Sequence, residues 1–421
     1  MLKDFKVNTL SGFIVFLMAL PLCLGIASAS GFPPVAGLIT AITGGIFSSW
    51  LGSARLTIKG PAAGLIVIVL AAVQDLGQGD LTLGYKRTLA CGLMAGVLQI
   101  LSAWLGFANI VAFVPFSVLH GILSAIGIII ILKQVPILLG EPYFRSDALH
   151  FFEKIPQLVK NIVPEEAIIG FTGLALLMAF RFFAQEKIKR FPVQIAVLLV
   201  GMCIAVFDGL NPLINQNLSQ FFVVISSQPL DAISFPNFQN IFDFSLLKHT
   251  LFLFLVCSIE STVTVNAINA LDTHNKNSNL NYDLFSVGIG NIIACCLGGL
   301  PMISEIVRSQ ANIDNGATHQ TANFMHGFFM LASLFLCTNF LNRIPLACLA
   351  SMLIYTGARL ASWKQFQDAY HLGKRYFFIF ISTLLCTVFV DLLVGLLAGI
   401  LLEYSIRLFN KKLLLKSKYH G

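Results

Sequence analysis

Three ionisable side chains stand where their neighbours make charge costly. Glu260 lies in "FLFLVCSIESTVTVNAINA", and Glu305 and Arg308 lie in "GGLPMISEIVRSQANI". A charge in such surroundings costs a few kcal/mol and is functional by default. Thr264 follows Glu260 by one helical turn and shares its face, with Ser261 on the flank. A carboxylate and a hydroxyl on one face can hold Na+ through hard oxygen ligands, or the carboxylate can exchange a proton. The plain alternative is a polar side chain satisfied by a neighbouring helix. Glu305 and Arg308, at i and i+3, can pair with each other. Such a pair is either a neutralised structural bridge or a switch, in which protonation of Glu305 frees Arg308 to hold an anion.

The elements that must position these groups follow from composition. The 421 residues are 57% hydrophobic and only 11% charged, with a mean hydropathy of +0.82. A soluble chain keeps about a quarter of its residues charged, so this is an all-α integral membrane protein. Runs such as "FIVFLMALPLCLGIASAS" and "TLLCTVFVDLLVGLLAGILL" suit crossings of roughly 20 residues, and about fourteen segments fit the chain once short or broken ones are allowed. The polar opening "MLKDFKVNTLSG" reads as a cytoplasmic start and not as a cleavable signal.

The net charge of +7 reflects topology, not a nucleic-acid partner. Lys3, Arg55, Lys59, the Arg181–Arg190 group, Arg359, Lys374, Arg375 and the tail Lys411–Lys418 fall on one side, as the positive-inside rule requires of a cytoplasmic face. Both termini are then cytoplasmic. The nine cysteines form no C-x-x-C pair and read as buried structural thiols.

Two polar stretches, 139–165 and 208–248, read as external loops, and the second divides the chain into similar halves. "VPFSVLHGILSAIG" and "IPLACLASMLIYTG" align without gaps, so that Pro115, Leu119, Leu123 and Gly127 match Pro345, Leu349, Leu353 and Gly357 at a constant offset of 230. Upstream in each half stands a Gly/Pro-broken segment, "LTIKGPAAGLIVIVLAA" (56–72) and "CLGGLPMISEIVRSQANI" (296–313). Each reads as a short extended stretch, a proline near the first helical turn and a half-length helix. Ordinary kinks at Pro61 and Pro301 are the alternative. Paired breaks in inverted repeats point to a transport site, since unwound backbone at mid-membrane must line a cavity or be buried. Two half-helix N-termini facing each other suit an anion. The expected organisation is a first repeat over 1–207, an external loop over 208–246, a second repeat over 247–410 and a basic cytoplasmic tail over 411–421.

"LPLCLGIASASGFPPVAGL", "IKGPAAGLIVIV", "SIESTVTV" and "GGLPMISEIVRSQANIDNGA", in that order, resemble the sulfate-permease (SulP) family of anion transporters over essentially the whole chain. The resemblance implies two inverted seven-helix repeats split into core and gate domains, an elevator-like cycle and a homodimer. It places an anion between the half-helix starting at Pro61 (Ala62, Ala63, Gly64) and the one after Pro301 (Ser304, Glu305, Ile306, Val307, with Arg308 beside them). Leu22 and Ile26 would close one wall. Glu260 and Thr264 match positions that bind Na+ in bicarbonate carriers. Three departures stand out. No STAS domain follows the last span, Glu305 replaces a small residue, and Ala62 replaces a hydroxyl.

The expected activity is secondary transport of bicarbonate or sulfate with Na+ or H+ across a bacterial inner membrane, with no cofactor beyond Na+ as coupling ion. A proton-coupled nucleobase carrier of the same fold, using Glu260 and Glu305, is one alternative, and a passive anion channel is another. No Ser/His/Asp set, metal cluster or phosphate loop supports an enzyme. His120 and His326 read as helix-packing residues.

Overall fold

The computed structural model describes residues 2–108, 115–141, 148–183, 192–207, 216–226, 228–239, 241–272, 278–390 and 392–419. The first half comprises α1 (Leu2–Ala29), α2 (Pro34–Thr43), strand β1 (Ile58–Gly60), α3 (Ile66–Gly77), α4 (Leu81–Trp104), α5 (Phe116–Leu138), α6 (Ala148–Lys160), α7 (Pro164–Phe183) and α8 (Val193–Phe207). The second comprises α9 (Phe244–Leu271), α10 (Leu280–Cys296), strand β2 (Ile303–Glu305), α11 (Ile306–Asp314), α12 (Thr321–Leu336), α13 (Leu346–Leu360), α14 (Trp363–His371), α15 (Lys374–Phe389) and α16 (Leu392–Tyr419).

Among the described residues, seven helices are long and apolar enough to cross a membrane: Asp4–Ala29, Pro34–Leu51, Leu81–Trp104, Phe116–Leu138, Pro164–Phe183, Phe244–Leu271 and Leu346–His371. Ala63–Gly77, Val193–Phe207, Leu280–Cys296 and Thr321–Leu336 are apolar but shorter. The expected count of about fourteen already allows for short and broken segments of this kind.

Local chemistry sets the helix starts. Pro115 and Pro345 precede α5 and α13 with nearly the same backbone, φ/ψ −61/137 and −66/138, where a missing N–H costs nothing. The Asp80 side chain accepts the Thr82 and Leu83 N–H groups and caps α4. Helix crossings use glycine pairs. Gly127 lies against the Gly357 carbonyl and Gly357 against that of Gly127. Gly96 and Gly288 do the same between α4 and α10, and Gly45 and Gly327 meet backbone to backbone. A Cβ at any of these would collide with the partner helix, which is how small residues let membrane helices approach closely.

Buried apolar side chains form two main clusters. One joins α3, α4, α5 and α9 through Ile66, Val69, Leu89, Ile126 and Leu253. The other joins α1, α2, α7, α8 and α13 through Leu24, Leu38, Ile169, Leu198 and Leu349.

Two expectations need correction here. All nine cysteines are free, but Cys203 and Cys337 are exposed and Cys296 and Cys386 only partly buried, so the set is not uniformly interior. Pro301 does not open a helix. It precedes β2, and α11 starts at Ile306, because the extended residues 303–305 are held in a ladder with β1.

Candidate functional site

The site is built on the two broken segments. β1 and β2 pair antiparallel, Ile58 opposite Glu305, Lys59 opposite Ser304 and Gly60 opposite Ile303. So few residues cannot satisfy their own backbone, and polar side chains from neighbouring helices complete the bonding. The Met302 N–H donates to Asn291 Oδ1 (2.5 Å) while the Asn291 amide donates to the Met302 carbonyl (3.2 Å) and to Gln99 Oε1 (2.8 Å). The Ile58 N–H donates to Ser309 Oγ, and the Ser304 N–H to Ser261 Oγ. Asn323 donates to the carbonyls of Arg55 and Thr57, and Asn312 to that of Leu56. Buried amides this far from water must be paired.

Strand alternation sends neighbouring side chains to opposite faces. Lys59 and Ser304, partners in the register, both reach Asp283 of α10. Lys59 Nζ lies 2.9 Å from Asp283 Oδ1, and Ser304 Oγ donates to Asp283 Oδ2 at 3.1 Å. The side chains of Lys59 and Asp283 are 0% and 1% exposed. Lys59 was expected among the cytoplasmic surface cations. It is instead neutralised inside the fold, because the alternation of a three-residue strand leaves it no route outward. Its partner lies 224 residues away.

On the other face of the ribbon Ile303 and Glu305 look into a cavity of about 220 Å3. Its walls include Ala62, Ala63 and Gly64 from the start of the first half-helix, Glu260, Val263 and Thr264 from α9, and Ile306 and Val307 from the start of α11. Phe116, Leu119 and His120 of α5 and Thr356 and Leu360 of α13 close the opposite side. The Glu260 carboxylate rests directly on Gly64, so a methyl group there would overlap it. Among the sequence-derived candidates the fold thus brings Ala62, Ala63, Gly64, Glu260, Thr264, Glu305, Ile306 and Val307 round one space. Leu22, Ile26, Ser304 and Arg308 are not in its lining. Ile26 is buried in the apolar interior, with Leu22 packed against it, and Ser304 faces Asp283.

Arg308 is 3% exposed and sits behind the ribbon. Its Nη2 donates to the Pro61 carbonyl (3.0 Å) and its Nη1 to Cys23 Sγ (3.4 Å). The expected side-chain pairing with Glu305 does not form. Glu305 is the N-cap of α11, and its Oε2 accepts the backbone N–H of Arg308 at 2.6 Å. The i to i+3 spacing is that of a capping contact, which satisfies an otherwise orphaned helix donor. His120, expected only to pack, lines the cavity with its Nδ1 3.0 Å from the Tyr376 hydroxyl. The aligned repeat containing His120 was the available signal, since α5 and α13 form the wall that faces the half-helices.

The sequence profile described as the Sulfate permease family matches residues 5–383. The chain belongs to that family. It is 26% identical over 409 residues to YvdB of Bacillus subtilis (strain 168), spanning 96% of this chain and 73% of that protein. It is 25% identical over 401 residues to the bicarbonate transporter BicA of Picosynechococcus sp. (strain ATCC 27264 / PCC 7002 / PR-6), spanning 94% and 69%. The solved transmembrane domain of a cyanobacterium bicarbonate transporter BicA superposes with a TM-score of 0.82 at 23% identity, covering 94% of this chain and 98% of that one. That match establishes the fold. The protein is integral to a membrane, and sulfate permeases are transporters, not enzymes.

Proposed function

We propose that this sulfate permease is a secondary active transporter of small inorganic anions, bicarbonate or sulfate, coupled to Na+ or H+. One observation carries the reading. Two half-helix N-termini, at Ala62–Gly64 and Glu305–Val307, meet at a single cavity that also holds Glu260 and Thr264. The partial positive charge of the two helix ends attracts an anion. Glu260 and Thr264 supply oxygen donors one turn apart for the coupling cation.

The architecture proposed is about fourteen membrane segments in two inverted repeats, with α6 and α14 as surface helices. The reciprocal Gly127–Gly357 crossing between aligned segments supports it. So do the matched crossings of α4 with α10 and of the helical turn just after α2, at Gly45, with α12. The core is then α1–α4 with α9–α12, the gate is the remainder, and the core slides against the gate to carry the site across. Both termini are cytoplasmic, the membrane is the bacterial inner membrane, and the working unit is a homodimer.

The test is labelled bicarbonate uptake into proteoliposomes under an inward Na+ gradient at fixed pH, with unlabelled sulfate as competitor. Na+-driven uptake that sulfate barely inhibits marks a bicarbonate symporter. Indifference to Na+, or strong sulfate competition, marks a proton-coupled sulfate-type carrier. Current without any cation gradient marks a channel. A second reading, a proton-coupled nucleobase carrier, is favoured by the two carboxylates on one cavity and by the absence of a lysine or arginine from its lining among the described residues. Saturable uracil uptake in the same vesicles, with none of bicarbonate or sulfate, would replace the anion reading.

Gly64→Ala probes the cation site specifically. The colliding atoms belong to the end of the Glu260 side chain, which can swing aside at little cost to the fold. Cation-dependent uptake should fall by about tenfold or more, an effect of the size expected when a binding group is displaced by about 1 Å. An unchanged dependence on Na+ and H+ would remove Glu260 from the coupling step.

A further inference from the structure

Resting on the anion-transport reading, we infer that Glu305 is a charge filter that admits monovalent anions to the cavity and excludes divalent ones. An anion approaching α11 finds its N-terminus already occupied. Glu305 Oε2 holds the Arg308 N–H at 2.6 Å, and strand register turns this side chain into the cavity while Ser304 goes to the opposite face. The other N-terminus carries a carboxylate too, since Glu260 lies against Gly64.

The nearby cations are engaged elsewhere. Lys59 pairs with Asp283 across the ribbon, and the Arg308 guanidinium donates to Pro61 and Cys23. Among the described residues no lysine or arginine lines the cavity. An entering anion therefore meets acidic side chains at first hand and positive charge only through helix termini and a buried guanidinium one layer back.

Charge number then decides. Repulsion from a fixed carboxylate doubles from a monoanion to a dianion. The cost of taking the ion out of water rises more steeply, because Born solvation scales with the square of the charge. Val263, Ile303 and Ile306 return nothing to a dianion, and Thr264, Thr356 and His120 offer neutral hydrogen-bonding groups that add no full positive charge. Glu260 faces α3 and contributes to the background. Glu305 sits on the helix end that an oxyanion needs, which makes it the residue that sets the threshold. The class admitted is a small monovalent oxyanion of bicarbonate type.

Glu305→Gln tests this, because the amide oxygen can still cap α11 while the charge is gone. Glu305→Asp keeps the charge. Labelled sulfate and labelled bicarbonate uptake are measured in the same proteoliposome preparations of the full chain, and the ratio is the readout. The ratio of sulfate to bicarbonate should rise by about tenfold or more in Glu305→Gln and stay near the parent value in Glu305→Asp. A role confined to helix capping would leave the ratio unmoved in Glu305→Gln, and that result overturns the filter while the transport reading stands. A parent protein that takes up neither anion overturns both.

Discussion

Asp283→Ala should leave almost no correctly folded protein, although the residue lies outside the cavity. Among the described residues Asp283 is the carboxylate that both ribbon strands share. It neutralises Lys59 at 2.9 Å and accepts the Ser304 hydroxyl at 3.1 Å. Removing it leaves a buried ammonium unpaired, because the Lys59 side chain is fully enclosed and Gly52 lies directly against its Nζ. Breaking one side of a buried pair costs about 3–5 kcal/mol, against a total stability of about 5–15 kcal/mol for a typical domain. The paired variant Lys59→Met with Asp283→Leu removes both charges and keeps the volume, so it should recover most of the loss. The measurement is thermal melting and size-exclusion behaviour of detergent-purified protein. An Asp283→Ala protein that stays monodisperse and melts within a few degrees of the parent would show that water reaches Lys59, and the sealed ribbon would be wrong.

That pair also marks where reading the sequence stops. Composition made the chain a membrane protein, and the constant offset between Pro115 and Pro345 located segments that cross each other at Gly127 and Gly357. The breaks at 56–72 and 296–313 did become extended strands followed by short helices. Glu260, Thr264 and Glu305 do share a cavity. These features are local or periodic and so are written in neighbouring residues. Lys59 with Asp283 is neither, since the contact depends on how β1 and β2 register and on which face of the ribbon α10 packs. The same holds for Asn291, Asn312 and Asn323, whose amides hold unwound backbone up to 268 positions away. Arg308 departs from its expected pairing for a different reason. Its spacing from Glu305 fits an ion pair and a capping contact equally well, and only the strand entering at 303–305 makes Glu305 an N-cap.

Arg308→Ala should abolish saturable anion uptake, lowering it by about a hundredfold or more, while the protein still assembles. The guanidinium reaches two other elements. It donates to the Pro61 carbonyl at the end of β1 and to Cys23 on α1, and its own backbone N–H is held by Glu305. Alanine loses a charge-assisted bond, worth about 1.5–3 kcal/mol, from a carbonyl just before the first half-helix. It also removes a buried cation whose own backbone N–H is held by Glu305, leaving less positive charge beside the acidic cavity as an anion enters. The geometric and electrostatic losses act on the same step, and every 1.4 kcal/mol is about tenfold. Assembly is expected to survive because the ladder, the asparagine bonds and the Lys59–Asp283 pair are untouched. Arg308→Lys separates the two losses. A lysine restores the charge without the planar fork that spans Pro61 and Cys23, so uptake should recover only in part. Near-normal uptake in Arg308→Ala would reduce Arg308 to a packing residue. Full recovery in Arg308→Lys would instead mean that charge alone matters, and that the tie between the half-helices plays no part in transport.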